Sequence, residues 1–409
     1  MQETDSQAEV IVVGGGLVGA ALAALLGEAG VAVSVLDARP GPLDEEAVGR
    51  GQPAQRVSAV TPVSQRLMEG LGIWSRLRRI SPYTGMQVWE AEGSGEIAFD
   101  AEQAGTPVLG HIVENEVMLA ALETRLAALP CVDQLFDARV EALQTTAIGR
   151  RLILADGRRL AAPLVVAADG ARSRLRELAG IEVSARDTGQ TAVVTTVRTE
   201  RVHGGVARQI FLPTGPLAFL PLSVDGDTRY CSIVWSTTPD EARRLVDLSR
   251  DVLGNALASA FEHRLGAVEV IDAAVAIPLT QRHASHYVEP GLALVGDAAH
   301  SIHPLAGQGV NLGFMDAAVL AEELVEARRR GAELGDPRIL SRYARRRRGD
   351  NTAMLALMDG FRLLFGAENP ALRLARNIGL SGVDRLLPLK RLLMRQAIGE
   401  RGRLPASCR

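Results

Sequence analysis

Lysine is almost missing from this chain: of its 45 basic residues 44 are Arg and only Lys390 is Lys. Any mechanism that needs a catalytic lysine elsewhere is excluded. Cysteine is scarce too, and Cys131, Cys231 and Cys408 are odd in number and lack CxxC spacing. Neither a disulfide framework nor a thiolate metal site is suggested, and a reducing cytoplasm fits best. The net charge is only -3, so the whole chain offers no reason to expect nucleic acid as a partner. Long apolar runs are few. The uncharged stretch Val10 to Gly27 is long enough to imitate a membrane span, but three consecutive glycines break it after a β-branched stretch. That punctuation belongs to a strand, a turn and a helix. The first nine residues hold three acids and no Arg or Lys, the opposite of a secretory leader. The expectation is a soluble, cytoplasmic protein, or one peripheral on the inner face of the membrane.

What is present is ordinary globular material. A chain of 409 residues, 47% hydrophobic and 23% charged, can build a large core and a second domain. Charge is regional: from Arg338 onward 16 Arg and Lys face 5 Asp and Glu, leaving 29 against 43 before it. A basic tail follows an acidic body. Val10 to Val13, Leu17 to Glu28 and Val31 to Leu36 read as strand, helix and strand. Asp44 to Val60 reads as a long, mobile loop able to gate a site. A helix is expected near Pro62 with Thr61 as its cap. Trp89 and Phe99 sit in strand-like runs, Val117 to Leu129 in a helix, and Arg151 to Leu160 in a hairpin turned at Asp156-Gly157. Thr191 to Val234 reads as an antiparallel sheet, Pro239 to Arg264 and Val310 to Arg330 as helical, and the remainder as basic helix. The fold class is therefore α/β. The divisions are residues 8–185, a first nucleotide-binding part with small strand insertions; 186–280, an antiparallel-sheet substrate domain; 281–336, the second nucleotide-binding part; and 337–409, a basic helical C-terminal region.

Gly14-Gly15-Gly16-Leu17-Val18-Gly19 satisfies GxGxxG directly after a strand and before a helix. Asp37 ends the second strand, where its carboxylate can meet an adenosine ribose. Gly14 allows the tight turn, Gly16 lets backbone N–H groups approach a pyrophosphate, and Gly19 allows close helix–strand packing. The helix N-terminus then favours the phosphate charge. This pattern alone serves NAD and FAD equally. Two further strands end in acids: Val165 to Ala168 runs into Asp169-Gly170, and Leu294-Val295 into Gly296-Asp297-Ala298-Ala299-His300. Beyond the second lies Pro304-Leu305-Ala306-Gly307-Gln308-Gly309-Val310-Asn311, a loop entering a helix.

This ordered set resembles the single-component FAD-dependent aromatic hydroxylases, the group A flavin monooxygenases, from Val10 to about Tyr343. More narrowly, Arg56-Val57-Ser58-Ala59, His111 to Asn115, Trp235 to Pro239 and His303 to Gly313 resemble the ubiquinone-biosynthesis hydroxylases of the UbiH/UbiI/VisC type. Within that branch the sequence is most similar to the 2-polyprenylphenol hydroxylases acting at ring C5. The resemblance implies an FAD-binding Rossmann-like domain with an inserted substrate sheet and a C-terminal helical tail. It implies that Gly14, Gly16 and Gly19 hold the FAD pyrophosphate and Asp37 the ribose, with Arg39 among the cofactor contacts. Arg56 reaches the phosphates or flavin, Asp169 serves FAD and NAD(P)H, and Gly296 and Asp297 meet the ribityl chain. Pro304, Leu305, Ala306, Gly307, Gln308 and Gly309 are expected beside the isoalloxazine, with Asn311 following. Amides opening that helix would stabilise negative charge on flavin N1 and O2.

The implied reaction uses NAD(P)H and O2, forms a flavin hydroperoxide, and places oxygen on a polyprenylated phenol in a site that excludes water. The implied partners are that phenol and a ubiquinone-biosynthesis complex, with a peripheral membrane contact through the basic tail and a homo-oligomer both open. A halogenase would call for an N-terminal Lys and a WxWxIP string, neither of which is present. A prenyl reductase or other flavoenzyme on the same fold, and a non-catalytic subunit of a quinone-biosynthesis complex, stay open as alternatives. His300 and His303 stand i, i+3 without a carboxylate or Cys at ligand spacing, so no metal is expected. His300 reads as a satisfied structural histidine, and Tyr230, Trp235 and Phe219 as sheet core. Arg345 to Arg348 reads as a solvated helix face or as a membrane or partner contact.

Overall fold

In the computed structural model, residues 8–91, 95–301, 309–365 and 398–409 are described. Val10–Val13 is completely apolar and its four residues are buried, the mark of a central strand in a parallel sheet covered on both faces. Leu164–Ala167 and Val33–Leu36 flank it in parallel. The six-strand order is Val288–Glu289, Leu292–Leu294, Leu164–Ala167, Val10–Val13, Val33–Leu36, Val132–Leu135, antiparallel only at the first pair. Helix Leu17–Glu28 crosses between the first two strands of the chain, and helices Asn115–Ala127 and Gly309–Arg329 pack on it. The opposite face is covered by an antiparallel meander of Val140–Thr146, Gly149–Leu154 and Arg159–Ala162, whose Leu152, Leu154 and Leu160 join the same core.

The consequence for function is positional. Val13, Leu36, Ala167 and Leu294 end their strands on one edge, so the segments after them, carrying Gly14, Asp37, Asp169 and Gly296, converge there. Open α/β sheets bind ligands at this edge.

A second, nine-stranded sheet stands beside it. Its path runs His300–Ser301, Val275–Ala284, Val183–Thr199, Asp227–Thr237, Gly215–Val224, Val206–Leu212, Gly85–Glu90, Glu96–Asp100, with Val268–Val270 pairing aside. The expected antiparallel sheet is there, but two of its strands come from far upstream, and Gly85–Glu90 pairs in parallel with Val206–Leu212. A parallel pairing across some 120 residues leaves no turn signal between its partners, which is why local pattern missed it. The expected loop Asp44 to Val60 also ends differently: Val57–Val60 is a strand on Gly110–Glu114, which pairs in turn with Ser81–Tyr83. The rest of that loop is held rather than loose. The Glu114 carboxylate accepts from the Ala54 N–H (2.6 Å), and Arg79 donates to the carbonyls of Gly49 (2.6 Å) and Gly51 (3.0 Å).

Local capping accounts for helix limits. Thr61 accepts from the Ser64 N–H and Pro62 opens helix Pro62–Gly70, as expected. The helical stretch after Thr238 is two helices, Pro239–Val246 and Arg250–Ala260, because the Ser249 side chain caps a new start. Helix Pro337–Phe365 begins the basic C-terminal region, and Ala406–Cys408 returns to helix Pro62–Gly70, where Arg66 Nε donates to the Cys408 carbonyl (2.9 Å). Among the described residues no helix is long and apolar enough to cross a membrane.

Candidate active site

Three glycines shape the first turn in different ways. Gly14 has φ +103°, and a Cβ there would lie 2.3 Å from the Ala168 carbonyl oxygen. A Cβ on Gly19 would lie 1.9 Å from the Gly14 carbonyl oxygen. Both are demanded by the fold itself. Gly16 is the exception: among the described residues nothing lies within 4 Å of the position its Cβ would take. It caps helix Leu17–Glu28 without a side-chain hydrogen bond, and no acid stands in the first turn. The N–H groups of that turn therefore face an open space with no built-in acceptor, the cradle that a pyrophosphate fills.

Asp37 braces this turn. Its Oδ2 accepts from the Gly15 N–H (2.9 Å), and its Oδ1 accepts from the Arg39 N–H (2.8 Å) and Nε (3.2 Å). Arg39 also donates to Glu123 Oε1 at 2.5 Å, while Glu123 Oε2 accepts from the Leu43 N–H at 2.7 Å. Arg39 Nη1 is buried with no hydrogen-bond partner among the described residues, an orphaned donor beside the cradle. Glu123 was not legible as a site residue, although an acid on the buried side of helix Asn115–Ala127 is its own signal.

Asp169 has the same incompleteness. Its Oδ2 accepts from the Leu175 N–H (3.1 Å), whereas Oδ1 is buried without a partner. Arg176, also missed, joins this loop to the next one: it donates to the Ala298 carbonyl (2.8 Å) and the Ala171 carbonyl (3.1 Å). In that next loop Gly296 adopts φ +57° against Val18. Asp297 is reached by solvent yet ringed by protein, and loss of hydration pushes its carboxyl up, against the pull of His300 and Arg56. Arg56 and Asp297, 241 positions apart in sequence, are thus neighbours across the cleft. Asn311 uses its side chain inside the protein, donating to the Ala59 carbonyl (2.8 Å) and accepting from the Thr61 N–H (3.1 Å). It braces the start of helix Gly309–Arg329 against strand Val57–Val60, which directly follows Arg56. Gly309 opens that helix, and among the described residues nothing lies within 4 Å of the position its Cβ would take. Pro304, Leu305, Ala306, Gly307 and Gln308 lie outside the described residues.

An open glycine cradle, an unpaired buried donor, a half-satisfied carboxylate and a ringed aspartate on one sheet edge fit an extended dinucleotide. Comparison with known proteins names it. A family described as an FAD binding domain matches residues 7–357. The 3-demethoxyubiquinol 3-hydroxylase of Escherichia coli K12 is 41% identical over 399 residues, covering 97% of this chain and 100% of that protein. The ubiquinone hydroxylase UbiL of Rhodospirillum rubrum is 41% identical over 396 residues, covering 97% and 90%. The chain belongs to the FAD-dependent hydroxylases of ubiquinone biosynthesis. The human mitochondrial ubiquinone biosynthesis monooxygenase COQ6 is 34% identical over 448 residues, covering 96% and 92%. Among solved structures, p-nitrophenol 4-monooxygenase PnpA of Pseudomonas putida DLL-E4 superposes with TM-score 0.78 at 23% identity, covering 98% of this chain and 100% of that one. That likeness confirms the fold.

The hydroxylase places a buried polar cluster directly behind the Gly296–His300 segment. Asp316 is completely buried. Its Oδ2 accepts from the Gly296 N–H (3.0 Å) and His300 Nε2 (2.6 Å), and its Oδ1 from Arg347 Nε (2.7 Å) and Asn351 Nδ2 (3.3 Å). Burial alone would push this carboxyl up, but the charges of His300 and Arg347 hold it down at about 2. His300 is thus a structural partner. The reading of Arg345 to Arg348 as one uniform outer face is corrected: Arg347 is 2% exposed, and Arg346 is paired with Glu322 and Glu323. The run hides two different environments because a helix turns 100° per residue.

Alternation in the second sheet sorts the aromatic residues. Phe219 and Trp235 face helices Pro239–Val246 and Arg250–Ala260, with Phe219 stacked on Phe261 at 3.8 Å. Tyr230 lies on the other face, which packs toward Val57, Ala59 and Ile112. Phe219→Ala is therefore expected to cost about 3–5 kcal/mol of stability while leaving the hydroxylated ring position unchanged, as read by thermal melts and product analysis.

Proposed function

We propose that this enzyme inserts one oxygen atom into the aromatic ring of a polyprenylated phenol or quinol, with NAD(P)H as reductant and O2 as co-substrate. Bound FAD supplies the redox chemistry. The chain's part is to hold it: the Gly16 turn for the pyrophosphate, Asp37 and Arg39 for the adenosine end, Asp297 for the ribityl hydroxyls, and Arg56 across the cleft. The observation that carries the substrate reading is the sheet face turned toward Val57 and Ala59. It is apolar through Ala218, Leu220, Leu222 and Val234, yet Thr196 and Ser232, cross-strand neighbours with no exposure, carry hydroxyls without a hydrogen-bond partner among the described residues. A ring with one or two oxygen substituents suits such a wall, since unpaired buried hydroxyls are costly unless something answers them.

The ring position is a finer matter. Likeness to a protein named for position 3 of demethoxyubiquinol supports a late, already substituted quinol as well as the 2-polyprenylphenol expected from the motifs. The FAD-loaded enzyme given each compound with a short prenyl chain, NADH or NADPH and ¹⁸O2 should return one of them with a single ¹⁸O on the ring. Reductant consumption with peroxide as the only product from both compounds would sink the proposal.

A further inference from the structure

We propose that Arg347 is a positioning residue of the flavin site: through Asp316 it fixes the Gly296–His300 segment, and so the carboxylate of Asp297. The C-terminal helix is thereby a working part of the cofactor site, although none of the nucleotide-binding motifs lies on it.

Geometry carries this. Asp316 links Arg347 to that segment by hydrogen bonds, and each Asp316 oxygen serves one side. Oδ2 takes Gly296 and His300, and Oδ1 takes Arg347 and Asn351. A carboxylate has about four acceptor directions, and all four are used, so its plane is set by both sides together. Arg347 is itself locked. Its Nη2 donates to Asn351 Oδ1 (2.8 Å) and the Leu312 carbonyl (3.4 Å), and its Nη1 to Asp350 (3.1 Å). A planar guanidinium can hold these directions at once, whereas an ammonium on a flexible stem cannot. Gly296 needs a left-handed backbone, φ +57°, and its N–H is the one that Asp316 accepts. Asp297, the next residue, stands in the cleft.

The inference rests on FAD binding and not on the ring position, so failure of the ring assignment leaves it standing. The test is FAD affinity by flavin fluorescence, with the midpoint potential of the bound flavin. Arg347→Lys is expected to weaken FAD binding about tenfold and to shift that potential. Asn351→Ala, which removes a brace on Arg347 and one of the four Asp316 hydrogen bonds but leaves the Arg347–Asp316 ion pair, should give a smaller loss in the same direction, and it decides the matter if Arg347→Lys is not recovered folded. Leu340→Ala is the control, since Leu340 is fully buried on the same helix and its apolar side chain makes none of the hydrogen bonds of Asp316. It should lower the melting temperature while keeping FAD affinity within about twofold of the parent. Parent affinity and potential in the Arg347 and Asn351 variants would overturn the proposal. So would an equal affinity loss in Leu340→Ala, which would reduce the effect to stability alone.

Discussion

Gly16→Ala is expected to fold like the parent and to bind FAD at least about tenfold more weakly. Among the described residues nothing lies within 4 Å of the new methyl group, and the φ of -71° at this position suits alanine. Only an occupant of the cradle can feel the substitution. Gly19→Ala and Gly14→Ala behave oppositely. The first drives a methyl group into the Gly14 carbonyl, and the second adds a left-handed backbone to a clash with Ala168. Each should cost about 3 kcal/mol or more of stability before any cofactor is added. Apo-protein melting curves and FAD titrations separate the two classes. Unchanged FAD affinity in Gly16→Ala would mean that the pyrophosphate lies elsewhere.

Asp316→Ala should be the most destabilising single change in the supporting structure, by about 3–5 kcal/mol, because it strands a buried guanidinium and a buried imidazole. The effect carries a pH signature. The Asp316 carboxyl sits at about 2 in the folded protein, below its ordinary 3.8. Its contribution is complete above about pH 4 and is lost as pH falls through about 2. The gap in stability between parent and variant should therefore narrow on acidification over that window, as followed by denaturant unfolding at stepped pH. A gap that stays constant from pH 6 to pH 2 would contradict the assignment.

What was legible in the sequence was what folds locally. The strand, glycine turn, helix and terminal acid all lie within about 30 residues, and each glycine has a steric reason that a pattern can express. The Thr61 cap and the Asp156-Gly157 hairpin are local in the same sense. What escaped was pairing at a distance. Glu123 meets Arg39 across 84 positions, Arg176 meets Ala298 across 122, and Arg347 meets Asp316 across 31. None of these spacings has a period. Asp316 did leave a trace: it interrupts the apolar stripe of Leu312, Leu320 and Leu324 on its helix, and an acid there must find a buried partner. Arg347 left none, because three neighbouring arginines concealed it.

The choice of arginine over lysine reaches into this interior. A guanidinium keeps its proton at any pH a cell meets, and although burial works to lower the Arg347 value, the charge and hydrogen bond of Asp316 raise it. The Arg347–Asp316 pair behind the flavin segment can be discharged only by acid, through its carboxylate. In alkali, where a buried ammonium would surrender its charge, it holds, so the site's endurance is lopsided toward high pH.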